Sequence, residues 1–161
     1  HRVLGKTGEE VPILGYGSAP GGMGLSDEDA IALCHKVIDL GVTYIDTAPG
    51  YGRAHVQLGH VMAERRDKVF LVTKTAADEA EQVLKILEKA LKDLQTDHVD
   101  LVYVHSMGHR DVDQVLGSDG RLDAICRDYR AQCSLEDRPR VAGGGYRCGD
   151  ARYESRGSLY L

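Results

Sequence analysis

The chain has 161 residues, 42% apolar and 28% charged, an ordinary composition for one soluble globular domain or a piece of one. A formal net charge of −5 removes the electrostatic case for nucleic acid or an acidic membrane, and no run approaches the roughly 18 apolar residues of a membrane span. A small-molecule partner and a cytoplasmic setting are the expectations that remain, with Cys34, Cys126, Cys133 and Cys148 read as free thiols because they lack CxxC spacing and no secretory signal opens the sequence.

Arg2-Val3-Leu4, a Gly5-Lys6-Thr7-Gly8 turn and Glu10-Val11-Pro12-Ile13 predict a short hairpin leading into a first strand at Ile13-Leu14-Gly15-Tyr16. Gly17 to Gly24 then reads as a flexible loop, one in which Gly21-Gly22-Met23-Gly24 is equally a candidate substrate-lining segment. Ser26 is placed to N-cap a helix, with Asp27, Glu28 and Asp29 favourable to its dipole, Ile31, Cys34, Val37 and Ile38 as an apolar stripe, and Gly41 as its stop. Val42-Thr43-Tyr44-Ile45 is the second strand. A helix through Val56, Leu58, Val61 and Met62 ends near Arg65-Arg66, and Lys68 opens a third strand at Val69-Phe70-Leu71-Val72. Asp78-Glu79-Ala80-Glu81 starts the longest helix, its Val83, Leu84, Leu87, Leu91 and Leu94 at 3.6-residue spacing with Lys89, Lys92 and Asp93 outward. Val99 to Val104 forms the fourth strand. Strands this continuously apolar belong in a sheet covered on both faces, so residues 1–120 read as about four βα units.

Residues 121–161 change character. Residues 1–120 hold seven Lys, five Arg and one Cys, whereas 121–161 hold no Lys, eight Arg and three Cys, and clear periodic patterning ends there. Two explanations stand: a GC-rich coding sequence translated out of frame, or a genuine flexible extension. Resequencing the coding DNA separates them, since an intact frame matching this tail removes the first.

Asp46, Tyr51, Lys74 and His105 each fall where a strand-like run gives way to a loop. Successive parallel strands present such ends on one face, where barrels build active sites. A phenol ordinarily ionises near pH 10, so a tyrosine acting as a general acid needs a neighbouring cation to stabilise its phenolate. Lys74 suits that task, with Asp46 to keep it charged, while His105 can orient a carbonyl oxygen. Such a set suits carbonyl-to-alcohol interconversion, the hydride coming from a nicotinamide because no side chain supplies one.

Gly41-Val-Thr-Tyr-Ile-Asp46-Thr-Ala-Pro-Gly-Tyr51-Gly52 closely resembles the signature of the aldo-keto reductase family, and Leu4-Gly-Lys-Thr-Gly8, Val11-Pro12, Leu14-Gly15 and Gly17-Ser18 resemble its N-terminal hairpin and first strand. Val72-Thr73-Lys74 and Asp100 to His105 match its third and fourth strand ends. The resemblance covers residues 2 to 120. It implies a (β/α)8 TIM barrel, here its N-terminal half, and reduction of aldehydes or ketones with NADPH, NADH being left open. By the same resemblance Tyr51 is the acid, Lys74 and Asp46 tune it, His105 orients the substrate, and Gly17, Ser18 and Asp46 lie near the nicotinamide end of the cofactor. Family members run to about twice this length, the other half carrying the later strands, a nicotinamide-stacking aromatic and the loop around the adenosine phosphate. His55 stands where the family usually has a Glu.

Two rival functions accompany this reading: a non-catalytic NADP(H)-binding redox-sensing subunit, and an inactive truncated fragment. Cofactor binding without turnover favours the first, and no binding by a molten chain favours the second. Gly5-Lys6-Thr7 is not a phosphate loop, because the required earlier glycine would precede His1. No metal site is expected, since His105, His109 and Cys133 lack ligand spacing. His35 and His60 are expected at helix surfaces or rims.

Overall fold

The computed structural model describes residues 1–4, 9–77 and 79–106, with strands at 152–154 and 158–160 described as backbone. Two compact units divide the chain: His1–Lys74 with Lys89–Leu101, and Thr75–Glu88 with Val102–Leu161.

In the first unit, β1 (Arg2–Val3) and β2 (Glu10–Val11) form the expected antiparallel hairpin, pairing Arg2 with Val11 and Val3 with Glu10. The parallel strands run in the order β3 (Gly15–Gly17), β4 (Tyr44–Asp46), β5 (Phe70–Thr75), β6 (Leu101–Val104), with Thr75 and Val102–Val104 belonging to the second unit. Register aligns Gly17 with Asp46 and Asp46 with Val72, so the C-terminal ends of β3, β4 and β5 lie in one row. Ile45, Leu71 and Val72 are completely buried, as a sheet covered on both faces requires. Where β6 begins, the Asp100 amide donates to Leu71 O at 2.8 Å. In the second unit the His105 amide donates to Thr75 O, also at 2.8 Å.

The helices between strands follow their sequence signals closely. Ser26 caps α2 (Asp27–Asp39) by accepting from the Asp29 amide at 3.1 Å, and Ala30, Cys34 and Ile38 bury one stripe. Ile31 and Val37, also expected in that stripe, are half-buried at its margin. Gly41 stops the helix at φ 83°, its amide donating to Ile38 O at 2.9 Å. In α3 (Ala54–Arg65), Ala54, Leu58, Val61 and Met62 are buried, whereas Val56 turns toward solvent. Val83, Leu87, Ala90 and Leu94 are the buried residues along and just after α4 (Ala80–Asp93), with Leu84 and Leu91 half-buried at the edges of the stripe.

Several expectations need correction. The segment Gly17 to Gly24 is not a plain loop: Ala19–Gly24 forms a short helix, α1, with Pro20 in its first turn, where a missing amide hydrogen costs nothing. Lys68 does not begin a strand but ends a 3-10 turn, Arg66–Lys68, because the Arg66 guanidinium gathers the Val69 and His98 carbonyls into a knot that delays β5 to Phe70. Asp93 is half-buried and accepts from Lys89 rather than pointing freely outward. In the tail, β7 (Arg152–Glu154) and β8 (Ser158–Tyr160) pair antiparallel. The boundary at residue 120, and the expectations for His109, Cys126, Cys133 and Cys148, lie outside the described residues. Among the described residues no helix is long and apolar enough to cross a membrane, and no group of three or more His, Cys, Asp or Glu could hold a metal ion.

Candidate active site

Register explains how Asp46 and Lys74 meet. Asp46 pairs with Val72, and Lys74, two residues further along β5, returns to the same face of the sheet. Lys74 Nζ donates to Asp46 Oδ1 at 2.5 Å and to the Thr47 carbonyl at 3.0 Å, with the lysine side chain 12% exposed. That is a charged pair held at a strand end, open enough to face a ligand and enclosed enough to be weakly screened.

Tyr51 enters from the turn after β4. Its amide donates to Ala48 O at 3.1 Å and its carbonyl accepts from the Ala54 amide at 3.0 Å, so the turn leads directly into α3. The half-buried ring lies beneath Lys74, whose Nζ stands 4.9 Å from the ring centroid. A further restraint comes from α1. The Arg53 amide donates to Gly22 O at 2.9 Å, and Gly22 sits so close that a Cβ there would lie 2.0 Å from the Tyr51 carbonyl oxygen. Gly52, at φ 57°, completes this backbone-on-backbone approach.

Gly17 and Ser18 come to the same row. Gly17 is the register partner of Asp46, and the Ser18 amide donates to Asp46 O at 2.9 Å. The buried hydroxyls of Ser18 and Thr47 have no hydrogen-bond partner among the described residues. His105 follows β6 in the second unit, half-buried, with its amide anchored on Thr75. The first unit therefore assembles Gly17, Ser18, Asp46, Tyr51 and Lys74. Sequence reading overlooked three supports: the Thr47 carbonyl under Lys74, the Gly22 contact behind Tyr51, and a buried bridge from His55 Nε2 to Thr73 Oγ1 at 3.1 Å. Only His55 carried a signal, its departure from the usual glutamate. His35 is half-buried and His60 exposed, in line with their expected surface or rim positions.

Residues 13–132 match the family model described as "Aldo/keto reductase family". The chain belongs to the aldo/keto reductase family. This aldo/keto reductase chain is similar to Aldo-keto reductase YhdN of Bacillus subtilis (strain 168), 35% identical over 120 residues, which is 63% of this chain and 36% of that protein. It is also similar to L-galactose dehydrogenase of Arabidopsis thaliana, 30% identical over 129 residues, 71% of this chain and 40% of the relative. Among solved structures, that of an aldo-keto reductase from Klebsiella pneumoniae in complex with NADPH superposes with a TM-score of 0.63 at 30% identity, covering 76% of this chain and 42% of that one. The thermostable aldo-keto reductase Tm1743 in complex with the inhibitor epalrestat gives a TM-score of 0.69 at 32% identity, covering 81% and 49% respectively. The chain thus spans well under half the length of the two curated relatives. Its four parallel strands are part of the family's TIM barrel.

Proposed function

We propose that this chain carries the N-terminal part of an NADP(H)-dependent oxidoreductase site that interconverts aldehydes or ketones with alcohols, with Tyr51 as proton donor. The observation that carries the proposal is Lys74, held by Asp46 and Thr47 with its ammonium over the Tyr51 ring. A positive charge there favours the phenolate that Tyr51 becomes on giving up its proton. Asp46 in turn is the ion-pair partner of that ammonium. His105 is proposed to orient the carbonyl oxygen by donating a hydrogen bond to it.

Gly17, Ser18 and Asp46 are the residues proposed to hold the cofactor. The buried hydroxyls of Ser18 and Thr47, without a partner among the described residues, fit that role, since each retains hydrogen-bonding capacity at a strand end. The NADPH carried by the Klebsiella pneumoniae relative supports the choice of NADP(H). When bound, the nicotinamide supplies hydride to the carbonyl carbon. Tyr51 delivers its phenolic proton to the carbonyl oxygen, giving the alcohol, and recovers a proton from solvent. In the reverse direction Tyr51 accepts the hydroxyl proton.

Tyr51→Phe tests the assignment. NADPH-dependent reduction of an aromatic aldehyde is expected to fall by about 10²-fold or more, while NADPH affinity stays within about twofold, because only the proton donor is lost. Unchanged turnover in that variant defeats the mechanism.

A further inference from the structure

We propose that His55 is a positioning residue: its side chain bridges the helix that follows the Tyr51 turn to the strand that carries Lys74, and so holds the Tyr51 ring against the Lys74 ammonium. The role rests on Tyr51 and Lys74 being the reacting pair proposed above. His55 stands in the first turn of α3, is 6% exposed, and places Nε2 3.1 Å from Thr73 Oγ1. Thr73 is completely buried and immediately precedes Lys74 on β5. Alternation along the strand sends the Thr73 side chain to the sheet face opposite Lys74. One residue step therefore links a buried hydrogen bond on the helix side of β5 to the ammonium on the other side.

The link to Tyr51 is equally short. The Ala54 amide donates to the Tyr51 carbonyl, and the Arg53 amide is fixed on Gly22 O, so a displacement of the first turn of α3 passes directly to Tyr51. Burial keeps the imidazole neutral, with Asp93 favouring and Lys89 and Lys74 opposing its protonation, so His55 bonds to Thr73 without adding a second cation near Lys74. Removing the imidazole leaves the Thr73 hydroxyl buried without that partner. Misplacement of a reacting group by about 1 Å can cost on the order of 10²-fold in rate.

The test uses the chain with ¹³C-labelled tyrosine rings, the Tyr51 signals being assigned by their loss in Tyr51→Phe. His55→Leu, which keeps the volume and removes the hydrogen bond, is expected to move the Tyr51 ring resonances. It is also expected to lower kcat for NADPH-dependent benzaldehyde reduction by about tenfold, with KM within about twofold. Thr73→Val breaks the same bond from the other side with little change of shape, and should reproduce both effects even if His55→Leu does not fold. His55→Gln, which can reach Thr73 with an uncharged amide, should restore both. Folded His55→Leu or Thr73→Val with unmoved Tyr51 resonances overturns the proposal. Absence of turnover in the unsubstituted chain speaks against the reductase reading alone, and the ring resonances then decide the positioning role by the same comparison.

Discussion

Lys74 owes its position to two neighbours of different kinds, a carboxylate on the adjacent strand and a main-chain carbonyl one residue later. The carboxylate was legible from residue type, while the carbonyl has no sequence signal, because every residue carries one. His55 shows what burial adds to identity. Burial lowers its pKa from 6.5 to about 4, so the unfolded chain takes up a proton near pH 6.5 that the folded chain resists until about pH 4. Between those values the unfolded state binds more protons, and stability falls as pH falls through the window, by about 3 kcal/mol in full. Denaturant titrations at pH 7 and pH 4.5 should show this loss in the native chain and a distinctly smaller one in His55→Gln. Equal losses in both would exclude His55 as the source. At Gly22 the constraint is steric. Gly22→Ala would set a methyl 2.0 Å from the Tyr51 carbonyl oxygen, and an overpacking cost of about 3 kcal/mol is expected by chemical denaturation.

At the scale of elements, α2 was readable because its determinants are local: a capping serine, an acidic first turn, apolar residues four apart and a glycine stop. The start of β5 was not, because it depends on a long-range knot. Arg66 Nη2 meets Asp100 Oδ2 at 2.7 Å, the Leu71 amide donates to the same oxygen at 2.7 Å, and two other guanidinium nitrogens take the Val69 and His98 carbonyls. These contacts join the chain before β5 to the chain before β6 across 34 residues. Asp100→Ala should cost about 3 kcal/mol, since it strands a partly buried guanidinium and the Leu71 N–H together. A loss under about 0.5 kcal/mol in urea would mean that water replaces the carboxylate at little cost. The α1 helix was missed for a related reason. Its glycines weaken the local helical signal, and its stability comes from tertiary contact with the Tyr51 turn.

As a whole, the chain spans 36% and 40% of its two curated relatives, which makes cofactor binding by this length of chain the property to measure. Ligand binding to the folded state gives a direct answer. At an NADPH concentration about 100 times Kd, the folded chain should gain about 2.7 kcal/mol and melt at a higher temperature, with no comparable rise in Ser18→Val. No shift at millimolar NADPH would refute cofactor binding by this chain. The amino-acid sequence alone determined the alternation of strands and helices, the strand ends at which Asp46, Tyr51, Lys74 and His105 occur, and the family, because periodicity, caps and contiguous motifs are properties of neighbouring residues. Only the tertiary structure decided that Lys74 lies between Asp46 and the Tyr51 ring, that Gly22 abuts the Tyr51 turn, and that His55 reaches Thr73. Those depend on strand register and close packing, which join residues far apart in the chain and leave no local trace.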